Sequence, residues 1–225
     1  MTIMAQVQKL GSISRGAERE RALKRPEYFS NHYFSMVQLT SHAQQIHDIN
    51  ALNPVSVLEI GIGNGFTSSF LRLAGHDITT ADINDDLEPD YVAPLAELPG
   101  LMKGRQFDLV ACCEVLEHMP WDEFENSIST MRQLSPRLYL TLPNYAKFFG
   151  FSGFLDIPRI RRLMNVGAYL PIPRKISPEH FWEVGTSREN SARAIKAILR
   201  RYYPRVRDYS YRLNRYHHAF VCESD

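Results

Sequence analysis

Val57-Leu58-Glu59-Ile60-Gly61-Ile62-Gly63-Asn64-Gly65-Phe66 is the stretch from which the fold of this chain is read. An unbroken apolar run of strand length, opening at Val55, leads into three glycines at alternate positions, and a helical pattern follows over 65–74. Glycines between a strand and a helix mark a tight turn where backbone approaches a ligand with no Cβ in the way. A dinucleotide-binding turn would carry its third glycine at position 66, where Phe66 stands. The spacing Glu-x-Gly-x-Gly-x-Gly suits a smaller, non-phosphorylated adenosyl ligand at the same crevice. Asp82 closes the next expected strand, 21 residues after Gly61. A carboxylate there can accept both hydroxyls of a ribose. A glycine turn alone fits a plain strand–helix connection; the turn, its preceding acid and the strand-end aspartate together point to a nucleoside site.

Further apolar runs of strand length lie at 77–83, 107–113 and 137–142, with a helical pattern over 121–134. Continuous apolar strands alternating with helices predict a parallel sheet covered on both faces. Upstream, a short helix is expected over 17–24. Met36, Leu39, Ala43 and Ile46 recur three or four apart, which predicts one apolar face of a helix over 33–49. The segment 150–178 is rich in Gly, Pro, Phe and Arg with no sustained period. It reads as an inserted loop region with one short helix near 158–164, where binding loops tend to live. A basic helix over 187–203 and a closing hairpin, 205–211 with 216–222, complete the pattern. Residues 1–50 are expected to form an N-terminal helical cap on the domain 51–225, with a substrate-side insertion at about 143–185.

The 225 residues are 44% hydrophobic and 23% charged, ordinary for a globular domain. That composition excludes a disordered tail, a collagen-like repeat and a disulfide scaffold. Three cysteines, two of them adjacent at Cys112-Cys113, fit neither a disulfide framework nor a zinc site and favour a reducing compartment. No run reaches the ~18 consecutive apolar residues of a membrane span, and the opening MTIMAQVQKLGSIS has no basic head or long apolar stretch. A cytoplasmic location is the expectation. The net charge of +1 hides an asymmetry: 51–158 carries 6 Lys+Arg against 15 Asp+Glu, and 159–215 carries 14 against 4. Two solvated surfaces of opposite sign would explain these counts. So would a basic face that favours an anionic partner.

LEIGIGNG, the strand-end acid in TTADIN and the segment FDLVACCEVLEHMP resemble the motifs of class I S-adenosylmethionine-dependent methyltransferases. The likeness runs over about 55–144, with three motifs in order. EHFWE and YHHAF extend it toward small bacterial methyltransferases of the type-11/type-23 kind, often associated with surface-glycan or other secondary biosynthesis. This resemblance implies an α/β fold: a Rossmann-like, seven-stranded, mostly parallel sheet with helices on both faces and an antiparallel last strand. It implies S-adenosyl-L-methionine as cofactor, with Glu59, Gly61, Gly63 and Gly65 lining its methionine and ribose part. Asp82 would hold the ribose hydroxyls, Ile83 would lie against adenine, and Glu114 would face the methionine end unless it is a solvated strand-end acid. Many relatives carry an aspartate that binds the adenine amine; the matching stretch here, 92–99, has none at that place. Backbone around 93–95, including Leu95, or the side chain of Asp90 would then serve.

Methyl transfer needs alignment and exclusion of water, with a base only for a hydroxyl or ammonium acceptor. The chemistry requires no metal, and no His/Cys/Asp set shows ligand spacing. His118, on the loop after the 107–113 strand, and His180, flanked by Glu179 and Glu183, are the candidate bases. Each is alternatively a hydrogen-bonded structural histidine. His217 and His218 alternate on a strand, so one is expected in the core and the other in solvent. Tyr145, Phe148, Phe149, Phe151 and Phe154 would wall the acceptor or act as core or flap. The expected activity is O-methylation of a small-molecule or glycan acceptor, with an anionic acceptor as one option. An RNA-modifying enzyme using Arg161, Arg162, Arg174, Lys175, Arg188, Arg200 and Arg201, and a non-catalytic cofactor-binding scaffold, are the alternatives; nucleic acid is not favoured.

Overall fold

The computed structural model of the protein describes residues 15–31, 33–157, 162–172 and 174–224. Its centre is a seven-stranded sheet built from β1 (Ser56–Ile60), β2 (Asp77–Asp82), β3 (Tyr91–Val92), β4 (Leu109–Cys113), β5 (Arg137–Pro143), β8 (Arg205–Ser210) and β9 (His217–Glu223). The spatial order is β3-β2-β1-β4-β5-β9-β8. Strands β1 to β5 pair in parallel, whereas β9 runs antiparallel between β5 and β8. This is the Rossmann-like arrangement expected from the sequence.

Alternate residues of each strand divide between two apolar layers. Leu58, Val110, Leu138, Leu140 and Phe220 face one side, packed with helix α4 (Phe124–Leu134) and helix α5 (Ala192–Leu199). Val57, Leu109, Ala111, Tyr139 and Val221 face the other, with helix α2 (Met36–Ala51) and helix α3 (Phe66–Leu73). Both faces are dry, which is why these strands read as continuous apolar runs rather than alternating ones. Burying each such side chain contributes ~1.5–3 kcal/mol.

Helix α2 departs from its expected apolar face. Met36 and Ala43 are exposed, and the buried line is Ser41, Gln45 and Ile49. Only the last turn meets the core. The earlier turns meet polar groups of α3 and of the β8–β9 turn, where Thr67 Oγ1 donates to Gln45 Oε1 (3.1 Å) and Asn214 Nδ2 donates to Ser41 Oγ (2.8 Å). Asp48 pins the helix to the sheet by accepting from the phenols of Tyr139 and Tyr209. Helix α1 (Ala17–Ala22) sits over the loop after β2, where Asn84 Nδ2 donates to the carbonyls of Glu20 and Leu23. The expected basic helix over 187–203 is regular only within α5.

The insertion is not a loop with a short helix. β6 (Lys147–Ile157) and β7 (Arg162–Ile172) form a separate antiparallel ribbon. Residues 162–164 are strand, and 158–161 lie outside the described residues. Phe149, Phe151, Leu170 and Ile172 are exposed on it while Phe148 is half-buried; the side chain of Phe154 lies outside the described residues. The prediction for His217 and His218 also fails: both are buried, because β9 is an interior strand of a sheet covered on two faces.

Leu140 is fully buried at the centre of β5, and Leu73 is 87% exposed at the end of α3. Leu140→Ala is expected to lower unfolding stability by ~2–5 kcal/mol. Leu73→Ala should change it by no more than about 0.5 kcal/mol in the same urea titration. Equal effects would contradict the layer assignment.

Candidate functional site

The carboxyl ends of β1, β2, β4 and β5 form one rim, and the predicted site residues gather along it. Gly61, Gly63 and Gly65 all have left-handed backbones, with φ of 81°, 53° and 71°. A Cβ on Gly61 would lie 2.3 Å from Val115 Cγ2, so the glycine loop and the loop after β4 are pressed together at this point. No heavy atom lies within 4 Å of the Cβ position of Gly63, which faces open space. Asn64 Oδ1 accepts from Phe66 N (3.0 Å) and caps the start of α3.

Asp82 stands at the end of β2 with one carboxylate oxygen on Ile62 N and the other on Asn84 N, each at 2.9 Å. The aspartate therefore shapes the glycine loop and still has lone pairs for a ligand. Burial raises its pKa, and the backbone donors oppose that rise. Glu59 is buried in β1 with Oε2 unpartnered, and burial pushes its carboxyl up to about 7 against an ordinary 4.5. Ile83 is half-buried beside Asp82, and Leu95 is buried. The adenine expectations narrow here. Ala93 N already donates to Asp82 O (2.9 Å), and Asp90 Oδ2 accepts from Thr80 N and Thr80 Oγ1.

The loop after β4 supplies the opposite wall. Glu114 has a left-handed backbone (φ 55°), and its Oε1 lies 3.0 Å from His217 Nδ1. The two atoms are close but make no hydrogen bond in this geometry, and both are buried without another partner; His217 lies at the site although its sequence position suggested no role. Three residues on, Glu117 is buried with both carboxylate oxygens unpartnered. Its pKa is well above the ordinary range, first through burial and next through the charge of Glu114. His118 and His180 meet edge to face with ring centroids 4.9 Å apart. Phe181 N donates to Glu117 O (2.8 Å), which ties the His180 loop to the β4 loop.

His180 is oriented by one carboxylate, Glu183, at 2.9 Å from Nδ1. Glu183 is completely buried and also accepts from Ser177 N and Arg174. Glu179 does not flank the ring; it pairs with Arg19 Nη2 at 2.6 Å. Glu117, His118 and His180 bring one potential ligand atom each to within 4.8 Å of one another. Sequence spacing could not reveal that set, because His180 arrives from a separate loop.

Two cavities lie beside these loops. One, of about 430 Å³, is lined by Trp121, Tyr145, Phe181 and Trp182. The other, of about 410 Å³, is lined by Phe148, Tyr169, Arg174, Arg215 and Tyr216. The Arg215 guanidinium stacks over Tyr169 at 4.2 Å and Phe148 at 5.5 Å, and its Nε is buried without a partner. Burial, then Glu114, Glu117 and Glu183, raises the pKa of the Tyr216 phenol, so this cavity borders the carboxylate cluster. Of the basic residues considered for nucleic acid, Arg201 is paired with Glu125 and Arg174 with Glu183.

A family described as tellurite resistance protein TehB matches residues 22–95, about a third of the chain and the part holding the glycine loop and Asp82. No curated protein matches. Among solved structures, the chain is similar to N-methyltransferase NodS from Bradyrhizobium japonicum WM9 in complex with S-adenosyl-L-homocysteine, at 15% identity over 97% of each chain with a TM-score of 0.55. It is also similar to magnesium protoporphyrin IX methyltransferase (ChlM) from Synechocystis PCC 6803 with bound SAM, at 19% identity over 88% of this chain and 94% of that one, with a TM-score of 0.52. A third similar structure is an O-methyltransferase family protein from Burkholderia thailandensis, at 11% identity over 98% of this chain and 68% of that one, with a TM-score of 0.56. At these identities the likeness establishes the fold.

The raised pKa of Glu59 carries a stability consequence. Its folded form holds the proton more tightly than the unfolded chain does, so the stabilisation is complete below about pH 4.5 and is lost as pH rises to about 7. Glu59→Gln removes that dependence. In urea unfolding of the ligand-free protein, the variant should gain on the wild type across this window, by on the order of 3 kcal/mol at most, and then level off. A difference that does not change with pH would contradict the burial of this carboxyl.

Proposed function

We propose that this protein is an S-adenosyl-L-methionine-dependent methyltransferase acting on an oxygen of a small-molecule or glycan acceptor that carries a ring and a negative charge. One observation carries the reading: the glycine loop, Asp82 and the acidic loop after β4 adjoin at the carboxyl rim of the sheet, with Ile62 N on Asp82 and Gly61 against Val115. Glu59, Gly61, Gly63 and Gly65 would receive the methionine and ribose part of the cofactor, Asp82 the ribose hydroxyls, and Ile83 and Leu95 the adenine. Glu114, 3.0 Å from His217 Nδ1, would bound the methionine end. The bound forms named for the NodS and ChlM structures support this cofactor.

The cofactor supplies an electrophilic methyl on a sulfonium. The acceptor oxygen forms a bond to that carbon as the sulfur–carbon bond breaks, and the electron pair stays on sulfur. The acceptor hydroxyl gives up its proton in the process. Glu117, His118 and His180, whose potential ligand atoms lie within 4.8 Å of one another, are the groups this reading assigns to the acceptor. Arg215, stacked on two aromatic rings with a free Nε, suits an acceptor with a planar or sugar face and an anionic group. The carboxylate partners of Arg174 and Arg201 weigh against a phosphate-tracking surface.

Calorimetry on the purified protein tests the cofactor contact. Asp82→Ala leaves ribose hydroxyls without their acceptor and should weaken S-adenosylmethionine binding by about five- to 150-fold, or ~1–3 kcal/mol. Asp82→Asn, which keeps one acceptor oxygen and one of the two loop contacts, should fall between. Unchanged affinity in both folded variants would overturn the assignment.

A further inference from the structure

We propose that Glu117, His118 and His180 form a binding site for one divalent first-row transition-metal cation. Two imidazoles and one carboxylate are the donor set that zinc and its neighbours favour over magnesium or calcium. Their ligand atoms already lie within 4.8 Å of one another. Cation–donor distances of about 2.0–2.2 Å set donor separations of about 3.3–3.5 Å in a tetrahedron. With the His180 ring anchored, movement of the Glu117 side chain and the His118 ring on binding would have to close that difference.

Two independent features mark these residues as more than neighbours. Glu117 is 1% exposed, and both of its carboxylate oxygens lack a partner. A carboxylate buried in that way is unfavourable unless something of opposite charge meets it. Each histidine, moreover, spends its Nδ1 on a fixed acceptor: His118 on the carbonyl of Glu179 (3.2 Å) and His180 on the carboxylate of Glu183 (2.9 Å). Those bonds set the tautomer in which Nε2 carries the free lone pair, and outer carboxylates or carbonyls of this kind orient metal-ligating histidines. The Glu183 carboxylate is itself anchored by Arg174 and Ser177 N, so the His180 ring is held rigidly.

The site stands on its own residues; only its role rests on the proposed methyl transfer. There, a cation would hold the acceptor hydroxyl beside the methyl and make it more acidic. The proton then leaves to water while the oxygen takes the methyl, and His180 acts as a ligand rather than as the base.

The test uses the full chain stripped with a chelator and titrated with Zn²⁺, followed by calorimetry and melting temperature, and with Co²⁺, followed by its visible absorption. The expected result for the wild type is one tight site per chain and a melting temperature that rises with Zn²⁺. Glu117→Gln loses no hydrogen bond of the apo protein, so it should fold with an unchanged or higher melting temperature while losing at least ~10–100-fold in Zn²⁺ affinity. Glu183→Gln should lose affinity by a similar ~10–100-fold through His180 alone. No stoichiometric Zn²⁺ binding by the wild type, or full affinity in Glu117→Gln, overturns the site. Zn²⁺ binding in a protein that does not bind S-adenosylmethionine would leave the site standing and reject its role.

Discussion

The approach of Gly61 to Val115 is the constraint on which the rest of the site depends. β1 and β4 are adjacent parallel strands, so their following loops leave the sheet side by side. With no Cβ on Gly61, the loop after β4 closes directly onto the glycine turn. Glu114, Glu117 and His118 are thereby set against the surface that would hold the cofactor. A larger residue at 61 would push the two walls apart and separate the cofactor side from the acceptor side.

The cost of this arrangement is concentrated in acids. Glu59 and Glu117 are buried with unpartnered oxygens, and Asp82 is held by two backbone donors rather than by a cation. Buried carboxylates of this kind destabilise the ligand-free protein and become favourable when donors or cations reach them. The fold supplies the compensation in its two dry layers, which contain most of the large apolar side chains. Stability is stored in the sheet, and electrostatic tension is placed at its carboxyl rim.

The sheet and the glycine-loop rim were legible in the sequence because their signals are local. Each central strand is a continuous apolar run, and the glycines and Asp82 sit at fixed places on strand ends. The acceptor side was less legible because its signals are distributed. The β6–β7 ribbon has its alternation interrupted by Gly150, Gly153 and Gly167, and each strand takes its meaning from the other. The polar burial of Ser41 and Gln45 arises from the polar groups beneath α2, which its own periodicity cannot report. Likewise Glu117 and His118 meet His180 across two loops distant in sequence, joined by the Phe181–Glu117 backbone bond and by His118 Nδ1 on the Glu179 carbonyl.

The most direct test of the central claim is a pair of calorimetric titrations of the wild-type protein, one with S-adenosylmethionine and one with NAD. The account predicts one saturable site for S-adenosylmethionine and none for NAD, because Phe66 stands where a pyrophosphate-binding turn needs glycine. Saturable NAD binding without S-adenosylmethionine binding would contradict it.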